Sequence, residues 1–109
     1  MEVEGRSWLE YFRSIPEGED GEIPVYLFVT EKRDDGTMRS YAQQIDTLHE
    51  TDDPSALIRV VERIIENKKV LDLNVWAFSN GNLFNLYPES LVTLEGYSKI
   101  LITMVIKVG

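Results

Sequence analysis

The stretch of sequence that decides the fold is YSKILITMVIKV, residues 97–108. Alternate positions that share one face of this segment hold Ile100, Ile102, Met104, Ile106 and Val108. The opposite face carries Leu101, Thr103 and Val105, so it is also mostly apolar. A strand without a clearly polar face is typical of the interior of a sheet. We therefore predict that residues 97–108 form a strand that is paired on both sides.

A first hairpin is indicated by the turn signal DDG at residues 34–36, which separates strands predicted over 23–31 and 38–46. A three-residue loop with its glycine in the left-handed conformation sets Glu31 opposite Arg39. A two-residue loop would place Lys32 opposite Arg39, and a pair of like charges on neighbouring strands destabilises a sheet. We therefore predict the register that pairs Glu31 with Arg39.

A second hairpin, over residues 70–87, carries an aromatic face. Its turn is Asn80-Gly81, the dipeptide most typical of two-residue hairpin loops. Strand alternation then places four large side chains on one face, namely Trp76, Phe78, Leu83 and Tyr87. Either the amino-terminal helix, through Trp8 and Phe12, or a second copy of the chain could pack on this face. Because monomers rarely leave such a face uncovered, we predict a homodimer through it if the helix does not cover it.

Two helices accompany the strands. Residues 7–14 have the spacing of a capping box, with Ser7 at the N-cap and Glu10 three residues later. Residues 53–68 begin with an aspartate cap followed by proline, which suits the first turn of a helix. The second helix carries an apolar stripe made of Leu57, Ile58, Val61, Ile64 and Ile65. It is expected to lie across the sheet through Leu57, Val61, Ile64 and Ile65.

The element order α-β-β-α-β-β-β predicts the fold class. Sequential hairpins favour an antiparallel or mixed sheet of about five strands, and two helices in a short chain pack on its faces. At 109 residues the chain is too short for two independent cores. We therefore predict a single α+β domain over residues 1–109. The segment 88–95 is compatible with either a helical turn or a short strand.

The charge of the chain is unevenly distributed. Residues 1–53 carry 14 acidic and 5 basic side chains, whereas residues 54–109 carry 5 and 6. Such a one-sided excess, in a chain with a formal net charge of −8, attracts basic partners and opposes binding to nucleic acid. The composition therefore favours a protein partner.

Eight carboxylates are expected to meet at one end of the sheet, because the start of the first strand lies beside the end of the second. These residues are Glu17, Glu19, Asp20, Glu22, Asp46, Glu50, Asp52 and Asp53. Since no lysine or arginine occurs among residues 14–31 or 40–58, we expect no local neutralisation of this acidic end. The principal hypothesis is a non-enzymatic binding module, of the inhibitor, immunity or adaptor kind, that docks a basic protein there. An alternative is an inhibitor that imitates nucleic acid, and a third interpretation is a solvated surface that only caps a helix.

No motif of catalysis or cofactor binding occurs in the sequence. The chain has no cysteine, no serine in a nucleophile motif and no glycine-rich phosphate loop. Its one histidine, His49, lies among acidic residues that lack the ligand spacing of a calcium loop. We therefore predict no catalytic residue, no metal and no cofactor. The alternative is a small-ligand or catalytic domain with a pocket between a helix and the sheet.

The location is predicted to be cytoplasmic and away from membranes. The first six residues, MEVEGR, place acid where a secretory signal carries basic residues. The longest apolar stretch, residues 100–106, is far shorter than the roughly 20 residues that a membrane span requires.

Overall fold

The elements predicted from the sequence are present, in the predicted order, in the computed structural model, which describes residues 7–109. They are helix α1 (Trp8–Ser14), strands β1 (Glu22–Arg33) and β2 (Met38–His49), helix α2 (Ser55–Ile65), strands β3 (Lys69–Ser79) and β4 (Asn82–Leu86), and strand β5 (Lys99–Val108). The predicted α+β class is therefore confirmed. The first six residues, on which the predicted location rests in part, lie outside the described residues.

The five strands form one mixed sheet in the order β2-β1-β5-β3-β4. Strand β5 runs parallel to β1 and antiparallel to β3. The apolar strand is thus paired on both sides, as predicted, and the parallel pair makes the sheet mixed. Neither described helix is long and apolar enough to cross a bilayer.

Both hairpins have the predicted registers. Glu31 pairs with Arg39 in the first hairpin, and Phe78 pairs with Leu83 in the second. Strand β2 continues past its predicted end at residue 46 and reaches His49. A bulge in β2, opposite Val25 and Tyr26, shifts the register by one residue, and the two strands stay paired beyond it.

Each face of the sheet packs against one helix. The face under α2 carries the larger core, to which β1 and β5 contribute Val25, Leu27, Ile100, Ile102 and Met104. The face under α1 carries a smaller core of Tyr11, Phe12, Ile15, Tyr26, Phe28, Ala42 and Leu101. Because both faces are covered, β1 and β5 are buried on both sides, which explains their apolar sequences.

The predicted contact of α2 with the sheet is wrong at two positions, and Ile58 of the apolar stripe belongs to neither core. Val60, which the stripe omitted, is buried together with Leu57, and Ile65 is 37% exposed. Val61 and Ile64 pack against the core, so the buried side follows the spacing i, i+3, i+4, i+7. Ile65 lies at the margin of this stripe and is the last residue of the helix.

The segment 88–95 forms a 3₁₀ turn over Pro88–Ser90 and no strand. Leu94 is fully buried in the core under α2. The segment therefore acts as a connection that fills the core between β4 and β5.

Candidate protein-binding site at the acidic end

The two acidic segments meet at the end of the sheet opposite the 34–36 turn. Glu22 pairs with His49 at the first position of the β1–β2 ladder. Beyond this pair, the backbone N–H of Glu50 donates to the carbonyl oxygen of Gly21 at 2.9 Å. The hydrogen bond joins the loop before β1 to the loop after β2.

A tight turn presents the first acidic segment. The N–H of Glu22 donates to the carbonyl of Glu19 at 3.0 Å, and the two central residues, Asp20 and Gly21, have φ values of 55° and 79°. Aspartate tolerates the left-handed region, and glycine adopts it without steric cost. A Cβ atom on Gly21 would lie 3.1 Å from the ring of His49, so the position also favours a residue without a side chain.

Two of the eight predicted carboxylates are held by side chains outside the acidic loops. Asp46 lies in β2 and not in a loop, and its Oδ2 is 3.0 Å from a guanidinium nitrogen of Arg63. The expectation that no cation neutralises the acidic end is therefore wrong for Asp46, because α2 brings Arg63 across the face of the sheet. Glu17 accepts a 2.6 Å hydrogen bond from the hydroxyl of Ser98 and lies over the start of β5.

Two further carboxylates hold the local backbone. Asp52 Oδ2 accepts from the backbone N–H of His49, and Asp53 Oδ1 accepts from that of Ser55, each at 2.8 Å. Hydrogen bonds from the Ser55 backbone and side chain lower the pKa of Asp53. Asp53 therefore holds the first residue of α2, in keeping with the helix-capping interpretation of the sequence, whereas Asp52 holds the turn at the end of β2.

The four remaining carboxylates belong to Glu19, Asp20, Glu22 and Glu50, which we call the acidic quartet. Within residues 7–109, no side-chain hydrogen bond or ion pair engages any of them. Glu19, Asp20 and Glu22 are exposed, and Glu50 is half-buried. The quartet is the part of the acidic end that can offer its charge to another molecule.

The positive charge of the sheet gathers at its opposite end. Lys107 pairs with Lys32 on one side and with Lys69 on the other, so three lysines stand side by side across β1, β5 and β3. Ten residues of β1 separate Glu22 from Lys32, a distance of roughly 33 Å at about 3.3 Å per residue. Screening at physiological salt limits the reach of a charge to about 8 Å, so the lysine row leaves the quartet unneutralised.

Lys99 is a buried cation that the sequence analysis did not single out, and its role is structural. It is only 4% exposed, and its Nζ donates to the carbonyl oxygens of Phe12 at 2.6 Å and Ile15 at 2.8 Å. The ammonium group also lies 4.7 Å from the ring centroid of Phe78. Burial lowers the pKa of Lys99, and the nearby Glu17 carboxylate partly opposes this shift. A cation that binds the last carbonyls of α1 fixes the helix to the sheet.

His49 has a structural partner in the loop that follows it. Its Nδ1 lies 2.8 Å from the hydroxyl of Thr51. No group of three or more potential metal ligands occurs in the described part of the chain. His49 therefore belongs to the turn before α2.

The aromatic face predicted for self-association is divided by α1. Trp76 stacks on Trp8 with ring centroids 4.4 Å apart, and Phe78 packs on Phe12 at 4.6 Å. Leu83 and Tyr87 lie beyond the helix and are 37% and 69% exposed. The amino-terminal helix thus covers Trp76 and Phe78, and the homodimer stays a prediction that these two residues do not support.

The cavities around the sheet are small or polar. Two lie beside α1: one of about 230 Å³ is lined by Arg13, Glu17, Phe78, Gly81 and Lys99, and one of about 150 Å³ extends below Trp8. Ligand pockets usually span about 300–1,000 Å³ and are mostly apolar. A hollow of about 430 Å³ at the 34–36 turn reaches that size, but four of its six lining residues are charged, namely Glu31, Arg33, Asp34 and Asp35. None of these cavities combines the size and the lining of a typical ligand pocket.

Gly18 fixes the path of the acidic loop across the start of the sheet. Its N–H donates to the carbonyl of Ser98 at 2.8 Å, and a Cβ atom on it would overlap the backbone carbonyl of Glu22 and lie 2.7 Å from Cδ of Pro24. We expect Gly18→Ala to lower the free energy of unfolding by about 1–3 kcal/mol, because backbone must move to admit the methyl group. Urea unfolding checks this, with the exposed neighbour Glu19→Ala as a control that should change it by less than about 0.5 kcal/mol. Equal stability of the two variants would show that the loop accommodates a side chain.

No protein-family model and no curated protein matches this chain. Among solved structures, a superantigen-like protein from Staphylococcus aureus is similar over 79% of this chain and 53% of its own, with 13% identity and a TM-score of 0.47. A second superantigen-like protein from this organism, solved in complex with sialyl-Lewis X, is similar over 77% and 52%, with 12% identity and a TM-score of 0.46. Staphylococcal superantigen-like protein 4 is similar over 82% and 55%, with 9% identity and a TM-score of 0.45. The chain spans about half the length of these proteins.

Proposed function

We propose that this protein is a non-enzymatic binding module that docks a basic protein partner through the acidic quartet. The observation that carries the proposal is the meeting of Glu19, Asp20, Glu22 and Glu50 at one end of the sheet, without a cation among their described contacts. Their charge is therefore available to a partner. We propose that this function is exercised in the cytoplasm, whose reducing conditions suit a chain without cysteine.

The quartet acts chiefly on the rate of association. Complementary charge speeds the encounter of two proteins and orients them, and the effect weakens as salt screens the field. The turn over Glu19–Glu22 and its hydrogen bond to the Glu50 segment hold the backbone in place before the partner arrives. A backbone that is already ordered loses less entropy on binding.

The two alternative functions have weaker support. A small-ligand or catalytic domain needs an apolar pocket, and the cavities beside α1 are smaller than typical pockets. An imitation of nucleic acid needs a row of free carboxylates, and here Asp46, Asp52 and Asp53 are engaged within the fold. The quartet alone makes a compact charged patch, which suits a basic segment of a protein.

A quadruple variant tests the proposal: Glu19→Gln, Asp20→Asn, Glu22→Gln and Glu50→Gln. The probe is a synthetic peptide of alternating lysine and arginine, whose affinity is measured by calorimetry at low and at physiological salt. We expect the affinity at low salt to fall at least about tenfold, which corresponds to about 1.4 kcal/mol shared among four charges. Asp52 and Asp53 are left intact because they hold the backbone of the turn after β2 and the first residue of α2, and asparagine at position 20 preserves the left-handed turn.

The matched control changes the net charge by the same amount elsewhere, with Glu62, Glu66, Glu89 and Glu95 each replaced by Gln. All four side chains are exposed and lie outside the acidic end. We expect the control to weaken peptide binding by less than about twofold. Equal losses in the two variants would mean that only net charge attracts the peptide, and the docking proposal would then be wrong.

A further inference from the structure

Strand β4 is an edge of the sheet that lacks the usual protection against strand pairing. It is the outermost strand next to β3, and the segment NGNLFNLYP, residues 80–88, contains no charged residue. The opposite edge, β2, carries Arg39 and Asp46 and is interrupted by a bulge. Charged residues and bulges are the devices by which edge strands avoid pairing with other chains. The edge strand β2 is therefore protected against pairing with another chain, and the edge strand β4 is not.

The hairpin geometry decides which backbone groups of β4 point outward. In a two-residue hairpin the residues that flank the turn exchange hydrogen bonds, and bonded pairs then alternate along the ladder. Asn82 pairs with Ser79 next to the turn, and Phe84 pairs with Ala77 two residues further on. The N–H and C=O groups of Leu83 and Asn85 consequently point away from β3. Across residues 7–109, no loop backbone group bonds to either of them.

Apolar side chains line both sides of this open edge. Phe84 is 44% exposed beside Ala77, on the face of α2, and Leu83 is 37% exposed beside Phe78, on the face of α1. Tyr87 follows on the side of Leu83 and is 69% exposed. A partner strand would shield apolar surface on both faces of the sheet.

We propose that two copies of this protein pair through β4, antiparallel, around a two-fold axis at Phe84. Leu83 of each copy then lies opposite Asn85 of the other, so that their outward N–H and C=O groups exchange hydrogen bonds in two symmetric pairs. The Phe84 side chains of the two copies meet on the axis, where an aromatic cross-strand pair is favourable. The two five-stranded sheets become one continuous sheet of about ten strands.

Charge favours a second copy as the occupant. A chain with a net charge of −8 repels its own copies wherever acidic surfaces meet. Pairing through residues 80–88 brings no charged side chains of the two strands together. A basic partner, in contrast, gains no charge attraction from this strand and is drawn to the acidic quartet. The edge is also self-complementary, since each outward group of Leu83 finds its counterpart on Asn85 of the second copy.

Sedimentation velocity between about 10 μM and 1 mM tests the dimer at physiological salt. We expect the wild-type chain to shift from one to two chain masses over this range, and Leu83→Lys to raise the dissociation constant at least tenfold. Gln43→Lys is the matched control, because it adds the same charge at an exposed position of the other edge strand, β2, and leaves association unchanged. A wild-type chain that remains monomeric at 1 mM would overturn the proposal.

Amide hydrogen exchange of the wild-type chain identifies the surface without any substitution. The amides of Leu83 and Asn85 should exchange at least tenfold more slowly at the highest concentration than at the lowest. The amide of Gln44, which points outward from the other edge strand, should not change. Dimerisation without this protection would place the contact elsewhere. Since the acidic quartet takes no part in the contact, the quadruple variant should dimerise like the wild type. Failure of the dimer proposal would therefore leave the docking proposal unaffected, and the reverse also holds.

Discussion

Phe12→Ala will lower the free energy of unfolding by about 3–5 kcal/mol, the usual cost of removing a buried phenylalanine side chain. Phe12 is fully buried, its ring packs on Phe78, and Lys99 Nζ lies 5.3 Å from its centroid. Helix α1 has only seven residues, too few for stability by itself, so packing must hold it on the sheet. For a domain whose total stability is typically about 5–15 kcal/mol, the loss is severe.

Urea unfolding measures the effect of Phe12→Ala, with Arg13→Ala as the matched control. Arg13 is the next residue of the same helix, but it is exposed, so its truncation should change stability by less than about 0.5 kcal/mol. The ring stack of Trp8 on Trp76 gives a second readout, because release of α1 separates the two indoles and changes tryptophan fluorescence and near-ultraviolet circular dichroism. A loss below about 1 kcal/mol would show that α1 contributes little to the fold.

Lys99→Met will lower the free energy of unfolding by about 2–4 kcal/mol. Methionine keeps most of the volume of the side chain but cannot donate, so the carbonyls of Phe12 and Ile15 both lose their partner. A buried carbonyl without a partner costs about 1–3 kcal/mol. The exposed Lys107→Met is the control, and its effect should stay within about 0.5 kcal/mol. Equal effects of the two substitutions would show that the carbonyls find other partners.

The stability that Lys99 provides should increase with pH. Burial lowers its pKa in the folded protein, so the unfolded chain binds the proton more tightly. Stability rises with pH wherever the unfolded state binds more protons. The stability gap between wild type and Lys99→Met should therefore widen between the lowered pKa and the ordinary lysine pKa. The neutral amine retains two N–H groups, enough for the two carbonyls.

Urea unfolding of both proteins at a series of alkaline pH values measures this gap. Burial raises the pKa of Tyr11, which removes stability as the pH rises, but this contribution is common to both proteins and cancels in the difference. A gap that narrows with rising pH would show that the fold favours the charged form of Lys99.

The hairpins could be predicted from the sequence because their registers depend on local chemistry. The turn at Asn80-Gly81 fixes the pairing of Phe78 with Leu83, and charge decides the pairing of Glu31 with Arg39. The capping serine of α1 is likewise local, and its side chain accepts from the N–H of Glu10. Each of these signals lies within about ten residues of the structure it sets.

Features that depend on distant residues escaped the sequence analysis. The ion pair between Asp46 and Arg63 requires the position of α2 on the sheet, which no local pattern specifies. The role of Lys99 requires that β5 start beneath the end of α1. A signal for Lys99 was present, since a lysine shares a strand face with the buried Leu101 in an otherwise apolar segment. Such a lysine indicates a carbonyl or carboxylate partner inside the fold.

The parallel pairing of β1 with β5 has a consequence for folding during synthesis. Val25 pairs with Ile100, so the centre of the sheet cannot close until β5, which lies far along the sequence from β1, has left the ribosome. Contacts between such distant segments slow folding and prolong the exposure of unpaired strands. The β1–β2 and β3–β4 hairpins can form earlier, but the inner edges of β1 and β3 stay unpaired until β5 is inserted between them. A nascent chain halted before residue 99 should therefore associate with chaperones, and a chain whose residues 99–108 have also left the ribosome should not.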